Sequence, residues 1–185
     1  MADKASQKMG ARELARELAF ISVYVYDLTQ SSLHELQDME WYSDMESFSS
    51  EDGELFSIQP QIREETLAFY RQILSGTIGN LARIDSVIRD HLVNWSFERL
   101  HGPDKAILRV SIYALLYQLD TPIEVIISIA NDLAEKYCDD NTPHYINGIL
   151  NKVKENYRGN KLQKQPSETE KPKGQKKLTL KKKSK

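Results

Sequence analysis

Basic side chains recur at every fourth position near the start of the chain. These cations are Lys4, Lys8, Arg12 and Arg16. Residues four apart lie on the same side of a helix, so this spacing predicts a basic stripe that could pair with phosphate groups. Glu13 and Glu17 stand beside the stripe and could equally neutralise it as a solvated helix face. From these residues alone, both interpretations stay open.

Residue types that often carry catalysis are present, but not in catalytic patterns. No two of the four histidines have the spacing of helical metal ligands; they are His34, His91, His101 and His144. The sequence has no glycine-rich phosphate loop, nucleophile elbow or HExxH motif. The single cysteine, Cys138, excludes a disulfide within one chain and a cysteine-based zinc site. We therefore expect no catalytic site, metal or cofactor.

The most apolar stretch, residues 102–120, predicts a central helix that positions the other elements. Apolar residues cover nearly all sides of it, so other helices must wrap it. Its charged residues are Asp104, Lys105 and Arg109, in the first two turns. That end is expected to face solvent or a partner.

Helical periodicity extends over most of the remaining chain, and no period-two strand pattern is present. The predicted helices cover residues 9–28, 62–76, 78–92, 122–137 and 142–157, with one short helix possible in 33–56. Thr121 and Thr142 each precede a proline, which predicts a threonine N-cap at both helices, with Glu124 completing a capping box at the first. The sequence is therefore that of an all-α protein.

Charge is distributed unevenly along the chain. Residues 33–56 hold eight acidic residues and no Lys or Arg, and we interpret 29–60 as an acidic insertion or connection. Residues 160–185 hold ten lysines and two glutamates. A segment so poor in apolar residues is expected to be disordered, and its lysines could contact phosphates or only aid solubility. We predict a flexible N-terminus over 1–8, one helical domain over 9–158 and a disordered basic tail over 159–185.

Membrane and export signals are missing from the sequence. No apolar run reaches the roughly 18 residues that span a bilayer, and the N-terminus has no apolar signal core. We expect a soluble cytoplasmic protein without membrane contact.

Three separated blocks of sequence resemble the bacterial NusB family. The blocks are Ala15–Ala19 with Tyr24; Glu98–Leu100 with Asp104–Arg109 and Tyr113; and Asp120–Pro122 with Leu133–Ala134 and Tyr145–Leu150. The resemblance implies about seven helices in two small bundles packed across each other. It also implies a transcription antitermination factor that binds boxA RNA of ribosomal RNA transcripts together with small-subunit ribosomal protein ten (NusE). The pair would join elongating RNA polymerase with other Nus factors, and the free protein could form a homodimer.

The resemblance also implies which residues meet each partner. For RNA these are Lys8, Arg12, Arg16, Tyr24, His144 and Tyr145, and for the ribosomal protein they are Asp104, Lys105 and Arg109. Arg109 could equally pair inside the fold. The chain departs from the family at Glu13 and Leu14, where arginines are usual, and at Ser128–Ile129, where an Asn-Glu pair is common. His144 replaces a more basic residue, and Tyr145 can still stack on an unpaired base.

Two other functions compete with this interpretation. One is a protein-only adaptor whose RNA surface is weakened by the lost arginines. The other is a helical RNA-binding domain related to those at the N-terminus of some RNA cytosine methyltransferases. The chain contains no nucleotide-binding βαβ region, which counts against an enzyme of that kind.

Overall fold

Seven α-helices and no strand form the part of the chain that the computed structural model describes, residues 10–39 and 64–159. They are α1 (Ala11–Thr29), α2 (Leu33–Gln37), α3 (Glu64–Gly79), α4 (Leu81–His91), α5 (Gly102–Tyr117), α6 (Ile123–Tyr137) and α7 (Thr142–Lys154). A 3-10 turn, Phe97–Arg99, precedes α5, and a π-helical turn, Glu155–Gly159, continues α7. The all-α prediction is confirmed. Lys8, most of the acidic segment and the basic tail lie outside the described residues.

The central helix α5 is buried along most of its length. Asp104 and every residue from 106 to 115 are buried. The helix packs against five others, α1, α3, α4, α6 and α7. The fold therefore consists of two small helical groups, α1–α3 and α4–α7, joined across α5, as the resemblance implied.

The first helical group is held by a buried hydrogen-bonded tyrosine. Tyr70 on α3 is fully buried, and its hydroxyl donates to the carbonyl oxygen of Leu36 at 2.5 Å. The same hydroxyl lies 2.8 Å from the hydroxyl of Ser22 on α1. One side chain thus ties α1, α2 and α3 together, because a buried hydroxyl requires partners and finds them on both neighbours.

Several helix boundaries differ from the predicted ones, and a residue distant in sequence intervenes at the start of α6. The break between α3 and α4 falls at Asn80 and not near Gly76. The Thr121 capping box was a wrong prediction, since Pro122 is the N-cap of α6 and has no side-chain cap. The Thr121 hydroxyl instead accepts a hydrogen bond from Arg16.

The start of α7 and the end of α5 are also displaced from the predicted boundaries. Asn141, and not Thr142, is the N-cap of α7. Helix α5 ends at Tyr117, three residues before the predicted end. Among the described residues, no helix has the length and apolar character needed to cross a lipid bilayer.

Candidate functional site

The first turn of α5 contacts the two tyrosines that were predicted to bind RNA, Tyr24 and Tyr145. A Cβ added to Gly102 would lie 2.6 Å from Cε2 of Tyr24 on α1, closer than real Cβ atoms approach. Glycine at this position therefore lets the half-buried Tyr24 ring lie directly against the turn. Two residues later, Asp104 accepts a hydrogen bond from the hydroxyl of Tyr145 on α7.

Asp104 is an internal hydrogen-bond acceptor. The residue is only 4% exposed. Burial, together with the hydrogen bond to Asp104, raises the pKa of the Tyr145 hydroxyl. The same two causes raise the pKa of the Cys138 thiol to about 12. Asp104 thus fixes the half-buried Tyr145 ring and has little surface of its own for a protein partner.

Arg109 pairs with two aspartates inside the fold. Its Nη1 donates to Asp27 on α1 at 2.5 Å, while Nε and Nη2 donate to the two carboxylate oxygens of Asp85 on α4 at 2.7 and 2.9 Å. Burial lowers the pKa of Arg109, but the hydrogen bonds and charges of Asp85 and Asp27 outweigh it and raise the pKa. The Arg109 side chain is 8% exposed, which fits the internal pairing that the sequence left open.

Lys105 keeps more surface than the other two residues predicted to meet the ribosomal protein. It is half-buried, with Nζ 5.3 Å from the ring centroid of Phe97. A contact between the first turn of α5 and a protein partner would therefore fall on Lys105, while Asp104 and Arg109 shape the turn.

The two described arginines of the basic stripe are placed differently. Arg12 is exposed, whereas Arg16 is 4% exposed. The Arg16 guanidinium donates to the Arg12 carbonyl and, across to the end of α5, to Gln118 and Thr121. Both guanidiniums lie over the Phe69 ring, at 5.2 Å for Arg12 and 5.0 Å for Arg16. Burial and the charge of Arg12 lower the pKa of Arg16.

Neither glutamate beside the stripe pairs with these arginines. Glu17 is 2% exposed and accepts from Nζ of Lys136 at 2.6 Å and from the Tyr137 hydroxyl at 2.5 Å, both on α6. Glu13 accepts from the backbone N–H of Gly10, the N-cap residue of α1. In the described part of the chain, the arginine pair therefore has no carboxylate partner. Glu13 and Glu17 therefore do not neutralise Arg12 or Arg16 by ion pairing, whereas Lys4 and Lys8 of the same stripe lie outside the described residues.

A depression of about 460 Å³ opens beside the arginine pair. Its walls are the first turns of α1, with Arg12 and Arg16, and residues of α6 that include Ser128 and Ile129. Three acidic residues, Glu13, Asp120 and Asp132, line the same depression. Of the Ser-Ile pair that departs from the family pattern, Ser128 is exposed, whereas Ile129 is half-buried and also packs against the core.

His144 and Tyr145 line a second and larger groove, of about 650 Å³. The opposite wall is the loop between α4 and α5, which includes Trp95 and His101. Sequence reasoning missed Trp95 and Lys152, which also lines this groove. The available signal for Trp95 was an aromatic residue between the predicted helices 78–92 and 102–120, because a connection between helices offers little core to cover it.

The model of the NusB family matches residues 13–155. The chain belongs to the NusB family. The match covers most of the described helices and every candidate residue except Lys8 and Arg12. The transcription antitermination protein NusB of Treponema denticola is 34% identical over 143 residues, which are 77% of this chain and 95% of that relative.

Solved NusB structures share the fold. NusB of T. maritima aligns with a TM-score of 0.65 and 25% identity over 84% of this chain and 99% of that chain. A crystal structure of the antitermination factors NusB and NusE in complex with double-stranded RNA aligns with a TM-score of 0.64 and 23% identity, covering 81% of this chain and all of that chain. The two helical groups joined across α5 are thus the NusB arrangement.

Proposed function

We propose that this NusB-family protein is a transcription antitermination factor that binds boxA RNA of ribosomal RNA transcripts together with NusE. The complex would then join elongating RNA polymerase with other Nus factors. Family membership supports the antitermination role, and the solved complex of a NusB with NusE and RNA supports both partners. The observation that carries the RNA part is the exposed Arg12 at the start of α1, which lies beside the buried Arg16 and forms no ion pair with a carboxylate among the described residues.

The candidate RNA residues lie at two ends of α1. Arg12 and Arg16 are near its start, and Tyr24 is near its end, beside the turn that holds Tyr145. The 12 residues from Arg12 to Tyr24 span about 18 Å of helix. A phosphate would pair with the exposed Arg12, and unpaired bases would stack on the tyrosines.

Filter binding of boxA RNA, with and without NusE, tests this proposal. We expect NusE to increase RNA affinity. Arg12→Gln should weaken binding and flatten the salt dependence of log K by about 0.7, the value for one single-strand phosphate that is no longer neutralised. Arg71→Gln is the matched control, because Arg71 is a partly exposed arginine on α3 that already pairs with Glu64. No gain on adding NusE, or an equal loss of affinity in both variants, would contradict the proposal.

The burial of Arg16 favours one second candidate, a protein-only adaptor. A guanidinium that is 4% exposed and bonded to Gln118 and Thr121 must be uncovered before it reaches a phosphate. An adaptor would bind NusE at normal affinity while Arg12→Gln left RNA retention unchanged. Titration of NusE into the wild-type protein, with RNA present and absent, separates the two functions.

A further inference from the structure

Exposed apolar side chains are concentrated where α5 ends and α6 begins. Tyr117 is 47% exposed, Leu119 57% and Val125 43%, although burial of such side chains would stabilise the protein. They are three of the six large apolar side chains that are exposed in the described part of the chain. Two acidic residues of the same stretch, Asp120 and Glu124, are also exposed. We call these five residues the α5–α6 surface.

The last described residues are anchored to this surface. The Arg158 guanidinium donates to the backbone carbonyl of Gln118 at 2.7 Å and to that of Thr121 at 2.9 Å. Burial lowers the pKa of Arg158, and the charge of Glu124 opposes that shift because it acts on the same guanidinium. The description of the chain therefore ends, at Gly159, next to the α5–α6 surface.

The residues that follow Gly159 match this surface in chemistry. Residues 160–164 read Asn-Lys-Leu-Gln-Lys, a leucine with a lysine on either side. Three residues span at most about 11 Å, so Leu162 reaches only surface close to the anchored Arg158. The next leucine, Leu178, is 16 residues further along the chain. The nearest apolar side chain of the tail and its two lysines thus complement the apolar and acidic groups of the α5–α6 surface.

We propose that residues 160–164 dock on the α5–α6 surface of their own chain. Leu162 covers the exposed Leu119, and the two flanking lysines pair with Asp120 and Glu124. The apolar contact supplies most of the stabilisation, because ion pairs between exposed groups contribute little. The inference goes beyond the proposed function and does not depend on RNA, since it joins two parts of one protein chain.

Limited trypsin digestion of the full-length protein, without RNA, tests the docking. Mass spectrometry follows cleavage after Lys164 and, as a reference in the same molecule, after Lys173. Cleavage tracks the undocked fraction when docking is faster than cleavage. Leu162→Ser should speed cleavage after Lys164 about tenfold, the factor for about 1.4 kcal/mol of lost docking, and should leave cleavage after Lys173 unchanged. Leu119→Ser should have the same effect from the body side, and Asp120→Asn a smaller one of about 1.5- to 5-fold.

Two matched controls should leave cleavage after Lys164 unchanged. Leu178→Ser removes another tail leucine, and Val93→Ser removes an exposed apolar side chain outside the α5–α6 surface. Circular dichroism checks that each variant is folded. Unchanged cleavage in Leu162→Ser, or acceleration by Leu162→Ser without acceleration by Leu119→Ser, would overturn the docking. Protection that increases with protein concentration would assign the surface to a second copy and also overturn it. Because no RNA is present, failure of the proposed function would not alter any of these rates.

Discussion

At the scale of single residues, burial decides what each charged side chain can do. Arg109, Asp104 and Glu17 are ionisable, yet each is almost inaccessible and occupied by a partner from another helix. A buried charge is tolerated only when it is paired and hydrogen-bonded. These residues therefore hold the helices in register, and partners from outside must use the exposed Arg12 and the half-buried Lys105.

Substitution of Arg109 tests most directly whether the buried ion pairs stabilise the fold. Arg109→Met leaves Asp27 and Asp85 without their cation, and breaking a buried ion pair costs about 3–5 kcal/mol. Urea denaturation should show a decrease of this size in the free energy of unfolding. The control is Arg71→Met, in a partly exposed pair with Glu64 that contributes about 1 kcal/mol or less. Equal effects of the two substitutions would contradict the internal role of Arg109.

The reactivity of the single cysteine, Cys138, reports on the environment of the buried Asp104. Burial and the hydrogen bond to Asp104 raise the Cys138 pKa from 9.0 to about 12. The thiolate fraction at pH 8 should fall by about 10³-fold, since only the thiolate is nucleophilic. Native Cys138 should therefore react with iodoacetamide far more slowly than the urea-unfolded chain. The matching stability contribution is complete below about pH 9 and is lost as pH rises through about 12; similar alkylation rates in both states would exclude this environment.

At the scale of elements, local periodicity determines where the helices lie, whereas distant partners affect where some of them begin and end. The helices were predictable because each buries an apolar face with a period near 3.6 residues. The caps and ends of the helices were less predictable. Thr121 is a good N-cap by type, but Arg16, 105 residues away in sequence, takes its hydroxyl. Arg158 likewise donates to carbonyl oxygens at the end of α5, where the sequence predicted further helix.

The candidate site likewise has features that the sequence predicts and features that it does not. The residue types for RNA and protein contacts were predictable from the family resemblance, but their exposure was not. Asp104 is covered by Tyr145 and Arg109 by Asp27 and Asp85, and these hydrogen bonds connect residues 41, 82 and 24 positions apart. No local pattern encodes such pairings.

The packing of α3 against α5 depends on one glycine. A Cβ at Gly76 would lie 2.1 Å from the Tyr113 hydroxyl oxygen, so Gly76→Ala forces the helices or the ring apart. Overpacking of this kind costs about 1–3 kcal/mol. Gly79→Ala, near the end of the same helix, meets nothing within 4 Å and should be neutral or stabilising by up to about 1 kcal/mol. Thermal unfolding of both variants checks this packing, and a neutral Gly76→Ala would show that it is not tight.

At the scale of the whole molecule, charge is separated between a body and a tail. Residues 1–159 carry 15 basic and 25 acidic side chains, while residues 160–185 carry ten lysines and two glutamates. An acidic body repels RNA at long range, so affinity must come from local basic surfaces. The arginine pair on α1 is one such surface, and the lysines after residue 159 are the other large source of positive charge.

The described chain ends close to the arginine pair. Arg158 donates to the backbone carbonyls of Gln118 and Thr121, and the side chains of these two residues accept from Arg16. The last described residues thus lie beside the proposed phosphate site. We expect deletion of residues 160–185 to weaken RNA binding most at low salt. The deletion should also flatten the salt dependence of log K by about 0.7 for each phosphate that the lysines neutralise in the intact chain.

The preference for boxA over scrambled RNA should survive this deletion, because phosphate contacts carry no sequence information. Filter binding between about 50 and 200 mM salt measures both quantities. A chain of the same length with glutamine at the ten lysine positions separates charge from tail length and should behave like the deletion. Unchanged salt dependence in both variants would leave the lysines only a solubilising role, and the disappearance of the boxA preference would show that the tail orders the specific site.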